Sequence, residues 1–143
     1  MKAVDTALYT ILSADAGTAM GTVTGSLNNL GATAAYRMIA PQTATLPYVI
    51  FNQQSGMDVW TFNDRERKSL LYQVKAVGSG HSGSAISAMN DRLDTLLNDA
   101  ALSMTGWGCK RIRRESDVEY TESDQGIIYH HVGGIFRIDV EPT

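Results

Sequence analysis

Along this chain the spacing of apolar residues changes repeatedly between a helical and an alternating period. Val4, Leu8, Ile11 and Leu12 fall at helical spacing, which predicts a first helix from about Lys2 to Ala14. From Ala16 to Ala35 the pattern lapses: Gly17, Gly21, Gly25 and Gly31 stand among Thr, Ser and Asn, the composition of a long loop with room for a helical turn and little to bury. Tyr36 to Ile39 and Leu46 to Phe51 are rich in β-formers and bounded by Pro41 and Pro47, and they read as strands one and two. Leu70, Tyr72, Val74 and Ala76 alternate with Leu71, Gln73, Lys75 and Val77, a third strand with one apolar and one mixed face. Ile86, Met89, Leu93, Leu96 and Leu97 return to the helical period from Ala85 to Leu97, opposite Asp91, Arg92 and Asp94, with Ser82 or Ser84 available as N-cap.

After a Gly106-Trp107-Gly108 turn, Arg111, Arg113, Glu115, Asp117 and Glu119 alternate with Ile112, Val118 and Tyr120, so a fourth strand is expected to carry its charges on one face. Ile128, Val132, Phe136, Ile138 and Val140 share a side of a fifth strand hairpinned to the fourth, where Gly133-Gly134 invites a bulge or bend. One stretch fits neither period. Between Gln53 and Lys68, Trp60 and Phe62 stand amid Asp, Asn, Arg and Glu without periodic apolar partners, which predicts an extended arm or hairpin at about 54–68.

Gly78-Ser79-Gly80-His81-Ser82-Gly83 matches the G-x-G-x-x-G pattern that cradles a dinucleotide pyrophosphate, and Asp99 follows at about the expected distance. The context argues against it. A dinucleotide fold needs a parallel β-α-β unit whose strands are buried on both faces, whereas the strands on either side of this corner expose Gln73 and Lys75 or carry five charged residues. Asp99 also falls at the end of the second helix, before the strand whose end would meet the ribose. A strand-to-helix corner needs small residues and a Ser cap, and GSGHSGS supplies both.

Length and charge narrow the remaining chemistry. At 143 residues the chain fits one domain able to bury a core without staples, and its net charge of −3 gives no basic field for a phosphate backbone. The lone Cys109 excludes an intrachain disulfide or a multi-cysteine zinc site and fits a reducing compartment. No run of 18 apolar residues occurs, and neither secretion nor membrane insertion is expected. His130 and His131 are adjacent in a predicted strand and should face opposite ways, so no shared metal is expected; His81 is a lone loop histidine. A Cys109 nucleophile with a histidine base lacks an orienting third group. Arg111, Arg113 and Arg114 are followed at once by Glu115, Asp117, Glu119 and Glu122, as in a cross-paired solvated strand face. No cofactor and no enzymatic activity are expected.

Taken in order, LPYVIF at 46–51, LLYQVKAVG at 70–78, AISAMNDRLDTLL at 85–97, RRESDVEY at 113–120 and YHHVGGIFRIDV at 129–140 resemble the tail terminator, or tail completion, proteins of long-tailed phages and phage-like particles. The segment Ala16 to Ala35 is longer than that family's pattern. The resemblance implies an α+β subunit spanning 1–143, with an antiparallel sheet of about four to five strands and two main helices packed on one face. It further implies a virion protein, assembled in the host cytoplasm, that forms a hexameric ring at the head-proximal end of the tail. Such a ring caps the tail tube, ends tail polymerisation and offers a surface to the neck, with DNA passing through unread. In that setting the arm residues Trp60, Phe62, Asp64, Arg65 and Arg67 are the candidate contact with a neighbouring subunit, the tail tube protein or the connector, because exposed aromatics tend to mark interfaces. The alternatives are another connector ring, an adaptor or stopper, or a small cytosolic nucleotide-binding enzyme; for the arm, the alternative is that it folds back with Trp60 covering its own sheet.

Overall fold

A computed structural model describes residues 1–80 and 83–143. Its elements are α1 (Lys2–Ala16), a 3-10 turn (Thr18–Met20), β1 (Ala35–Arg37), β2 (Tyr48–Trp60), β3 (Arg65–Ser79), α2 (Gly83–Leu97), β4 (Trp107–Asp124) and β5 (Ile127–Pro142). The strands form one sheet in the order β1-β2-β3-β5-β4, antiparallel except for the short β1, which runs parallel to β2. The fold class is α+β, as expected. Ser82 and the side chain of Ser84, the expected caps, lie outside what is described.

One face of the sheet is apolar for a register reason. Val49, Phe51, Tyr72, Val74, Ala76, Phe136 and Ile138 stand opposite one another across β2, β3 and β5, and all are buried. Both helices cover this face, α1 with Val4, Leu8 and Leu12, α2 with Ile86, Met89, Leu93 and Leu97. At about 25 cal/mol per Å² of apolar surface removed from water, this shared burial is the main stabilising term. Asp5 is buried at its margin, where it accepts a hydrogen bond from the Tyr72 hydroxyl (2.6 Å) and pairs with Arg37 (3.0 Å).

The glycine-rich segment departs from expectation. Its small residues let the chain wrap closely enough to insert Leu27, Ser26 and Ala32 fully into the interior. The Leu27 amide donates to Asp15 Oδ2 (2.9 Å), and Arg92 grips the same carboxylate through Nε and Nη2 (2.9 and 2.7 Å). Asp15 thus ties α1, α2 and this segment together.

The fourth strand also departs from simple alternation. Trp107 is already paired with Pro142, so only Gly106, at φ 79°, makes the turn. The register shifts between Cys109 and Arg111 and again between Arg114 and Ser116. Each extra residue flips the faces that follow. Arg111 and Arg113 therefore lie on the face away from the helices, while Arg114, Asp117 and Glu119 lie on the helix face, and the charges are divided rather than collected on one side.

No register shift occurs at Gly133-Gly134 in β5; the glycines serve close approach instead. A Cβ on Gly133 would lie 2.1 Å from the Val74 carbonyl oxygen and 2.4 Å from Lys75 Cα, while one on Gly134 would meet the Arg114 guanidinium. Backbone cannot step aside as the end of an arginine can. Gly133→Ala is expected to cost about 1 to 3 kcal/mol and Gly134→Ala less, measured by urea denaturation. Equal costs would mean that Arg114 is as immovable as the strand.

Candidate functional site

The arm is the distal part of the β2–β3 hairpin. Beyond Asp58 and Lys68 the strand pair runs past its last pairing with β5, and cross-strand ties link its two strands: Asp58 pairs with Arg65 (3.6 Å) and Lys68 (3.7 Å), and Thr61 closes the tip through its amide and hydroxyl to the Asp64 carbonyl (2.8 and 3.1 Å). The register shifts between Gln53 and Ser55 and between Val59 and Trp60 add local twist. Phe62 is fully exposed at the tip, Trp60 is 64% exposed and Met57 61%. Trp60 does not cover its own sheet.

Of the predicted residues, Trp60, Phe62, Asp64 and Arg67 are exposed together. Arg65 differs: it is half-buried, engaged by Asp58, with its guanidinium 5.3 Å from the centre of the Trp107 ring. It braces the arm against β4 rather than presenting a free charge.

The other chemistry weighed on the sequence is dispersed. Gly78 lies in β3, Gly80 has φ 69°, Gly83 opens α2, and His81 and Ser82 lie outside the described residues. β3 and β4 run parallel, but β5 lies antiparallel between them, so no crevice of the dinucleotide kind forms at this corner. Asp99 stands in the turn after α2, its amide bonded to the Ile112 carbonyl (2.9 Å). Cys109 packs at the edge of the core opposite Val140, whereas His131 is paired with Tyr120, about 30 Å along the strand at a 3.3 Å rise. The two adjacent histidines face opposite ways: His130 Nε2 lies 2.7 Å from the Gly80 carbonyl, and His131 Nε2 lies 2.6 Å from Glu122. Among the described residues no cluster of three metal-ligating acids, histidines or cysteines occurs, and no helix is long and apolar enough to cross a membrane.

The three arginines separate. Arg111 pairs with Asp139 (3.6 Å) on the outer face, where Arg113 is exposed. Arg114 turns inward, with Nη2 2.8 Å from each of Asn90 Oδ1, the Gly133 carbonyl and Asp117 Oδ1, and its guanidinium beside the Phe136 ring.

Two surfaces were not legible in the sequence because they depend on register. On the outer face His131 stacks on Tyr120 (4.4 Å between centres), whose hydroxyl oxygen accepts a hydrogen bond from Lys75 Nζ. Burial pushes the His131 imidazole below its ordinary range and Lys75 adds to this, against the Glu122 hydrogen bond, so the ring is neutral at neutral pH. At the end of the sheet remote from the arm, an open cleft of about 810 Å³ lies between residues 39–46 and the β4–β5 turn. Tyr48, Val77 and Tyr129 form its floor, Ile39, Pro41 and Leu46 one wall, and Glu122 and Asp124 the other.

Comparison with protein-family models and with curated proteins gives no match. Among solved structures, a chain from the virion of a native gene transfer agent particle is similar in fold, with a TM-score of 0.68 and 14% identity over 90% of this chain and 95% of that one. A second solved chain is similar at a TM-score of 0.56 and 13% identity, over 99% of this chain and 94% of its own. At such identities the likeness is one of fold.

Proposed function

We propose that this chain is a structural virion subunit of the tail terminator type, which forms a ring of six copies capping the tail tube and offering the neck its attachment surface. The observation that carries the reading is the arm: a braced hairpin that holds Trp60 and Phe62 in solvent, where an isolated subunit gains nothing from them. Large exposed aromatics on a rigid support are the kind of anchor that dominates interface energies, and Asp64 and Arg67 beside them supply a polar rim that fixes register. The fold shared with a chain of a gene transfer agent virion supports a place in a phage-like particle. Such a subunit needs no catalytic group or cofactor, and its ring passes DNA without reading it.

A Trp60→Ala, Phe62→Ala double variant is expected to fold normally, since neither side chain is in the core, yet to yield overlong tails or tails that fail to join heads. Electron microscopy of the particles measures both. Normal length and normal joining would overturn the terminator role read from the arm. An adaptor or stopper ring is told apart by where the subunit's density lies along the tail axis.

A further inference from the structure

Apolar surface occurs at both ends of the same hairpin. Trp60 and Phe62 stand at the tip, and the cleft floored by Tyr48, Val77 and Tyr129 lies where β2 begins and β3 ends. Twelve residue steps of β2 separate Tyr48 from Trp60, about 40 Å at strand rise, so the arm cannot fill its own cleft. We infer that the arm of one copy seats in the cleft of the next, with Trp60 and Phe62 against Tyr48, Tyr129 and Ile39, and Arg67 toward Glu122 and Asp124. This rests on the ring reading and assigns the two surfaces that build the ring.

Size and charge both favour a second copy as occupant. About 810 Å³ is ample for two aromatic side chains, and Ile39, Pro41, Leu46 and the tyrosine rings give them apolar surface within a largely polar lining. The cleft wall carries two carboxylates and no lining cation, Glu122 already bonded to His131 and Asp124 without an ion pair among the described residues, while Arg67 is exposed and likewise makes none. Asp64 and Glu66, the arm's acids outside the Asp58 pairs, would be repelled by that wall, which selects the orientation that turns Arg67 inward. An interface between two different patches is heterologous: it propagates head to tail and closes into a ring when the rotation allows.

Complementation between two defective variants tests this directly. The arm variant is Trp60→Ala, Phe62→Ala; the cleft variant is Ile39→Asp, Asp124→Lys; all four positions are exposed, and circular dichroism verifies that both variants fold. In analytical ultracentrifugation the wild type is expected to form closed oligomers, each variant alone to remain monomeric, and an equimolar mixture to form dimers and stop there, since one intact arm meets one intact cleft. A cleft variant that assembles like wild type, a mixture that stays monomeric, or a wild type that never self-associates would each overturn the inference. If the cleft variant assembles normally while the arm variant gives aberrant tails, this docking fails and the terminator reading stands. If the mixture dimerises while arm-variant particles have normal tails and heads, the docking stands and the terminator reading fails.

Discussion

Replacing Arg92 by Ala is expected to cost about 3 to 5 kcal/mol, more than replacing its partner Asp15 by Ala, because the two removals leave different groups behind. The Asp15 side chain is only 4% exposed, and without Arg92 it becomes an uncompensated buried carboxylate that still must hold the Leu27 amide. The Arg92 side chain is 25% exposed, so without Asp15 its guanidinium can turn to water. The pH dependence follows from the same contacts. Burial raises the Asp15 carboxyl, but the Arg92 hydrogen bonds and charge and the Leu27 amide together hold it below its ordinary range. Its contribution is therefore fully present above the unfolded value of about 3.9 and is lost as pH falls through the lower folded one. In Arg92→Ala burial prevails and the carboxyl rises above the unfolded value, so that variant should gain stability relative to the wild type as pH is lowered from neutral toward 4. Urea denaturation of both proteins between pH 7 and 3 measures it. A variant with the wild-type pH profile would mean that water reaches Asp15 in the folded chain.

Leu93→Ala is expected to cost about 2 to 5 kcal/mol, while Asp94→Ala changes stability by less than about 0.5 kcal/mol. Leu93 is fully buried where α2 meets the sheet, and truncation there leaves a cavity between a helix and a strand layer that cannot collapse together. Asp94, the next residue, is half exposed and lies 3.9 Å from Arg114, too far for a strong pair. Thermal or denaturant unfolding of the two variants gives the comparison, and similar losses would place the wrong face of α2 against the sheet.

Much of this architecture was legible in the residues, and the reason differs between elements. The helical stripes of α1 and α2 and the alternation from Leu70 to Ala76 are local periods, and a local period states which face is buried whatever the rest of the chain does. Trp60 and Phe62 were conspicuous for the opposite reason: they are apolar where no period could bury them. Leu27 gave no such signal, since a single apolar residue in a glycine-rich loop has no period, and only the wrapped chain brings it into the core.

The sequence by itself therefore determined the helices, the mixed-face strands, the exposed arm and the absence of the parallel context that a dinucleotide corner needs. Tertiary structure decided what depends on pairing at a distance. The register shift between Arg114 and Ser116 in β4 sent Arg113 and Asp117 to opposite faces, a reversal that one extra residue suffices to make because strand side chains alternate with period two. Gly133 and Gly134 became a close strand contact and a seat for Arg114 only once β3 and β4 lay beside them. Asp15 and Arg92 met across 77 residues, and the remote cleft took its floor from three strands and its walls from two turns. No local pattern encodes these meetings, because each is set by which strand lies next to which, and that is chosen by burial of the whole apolar face at once.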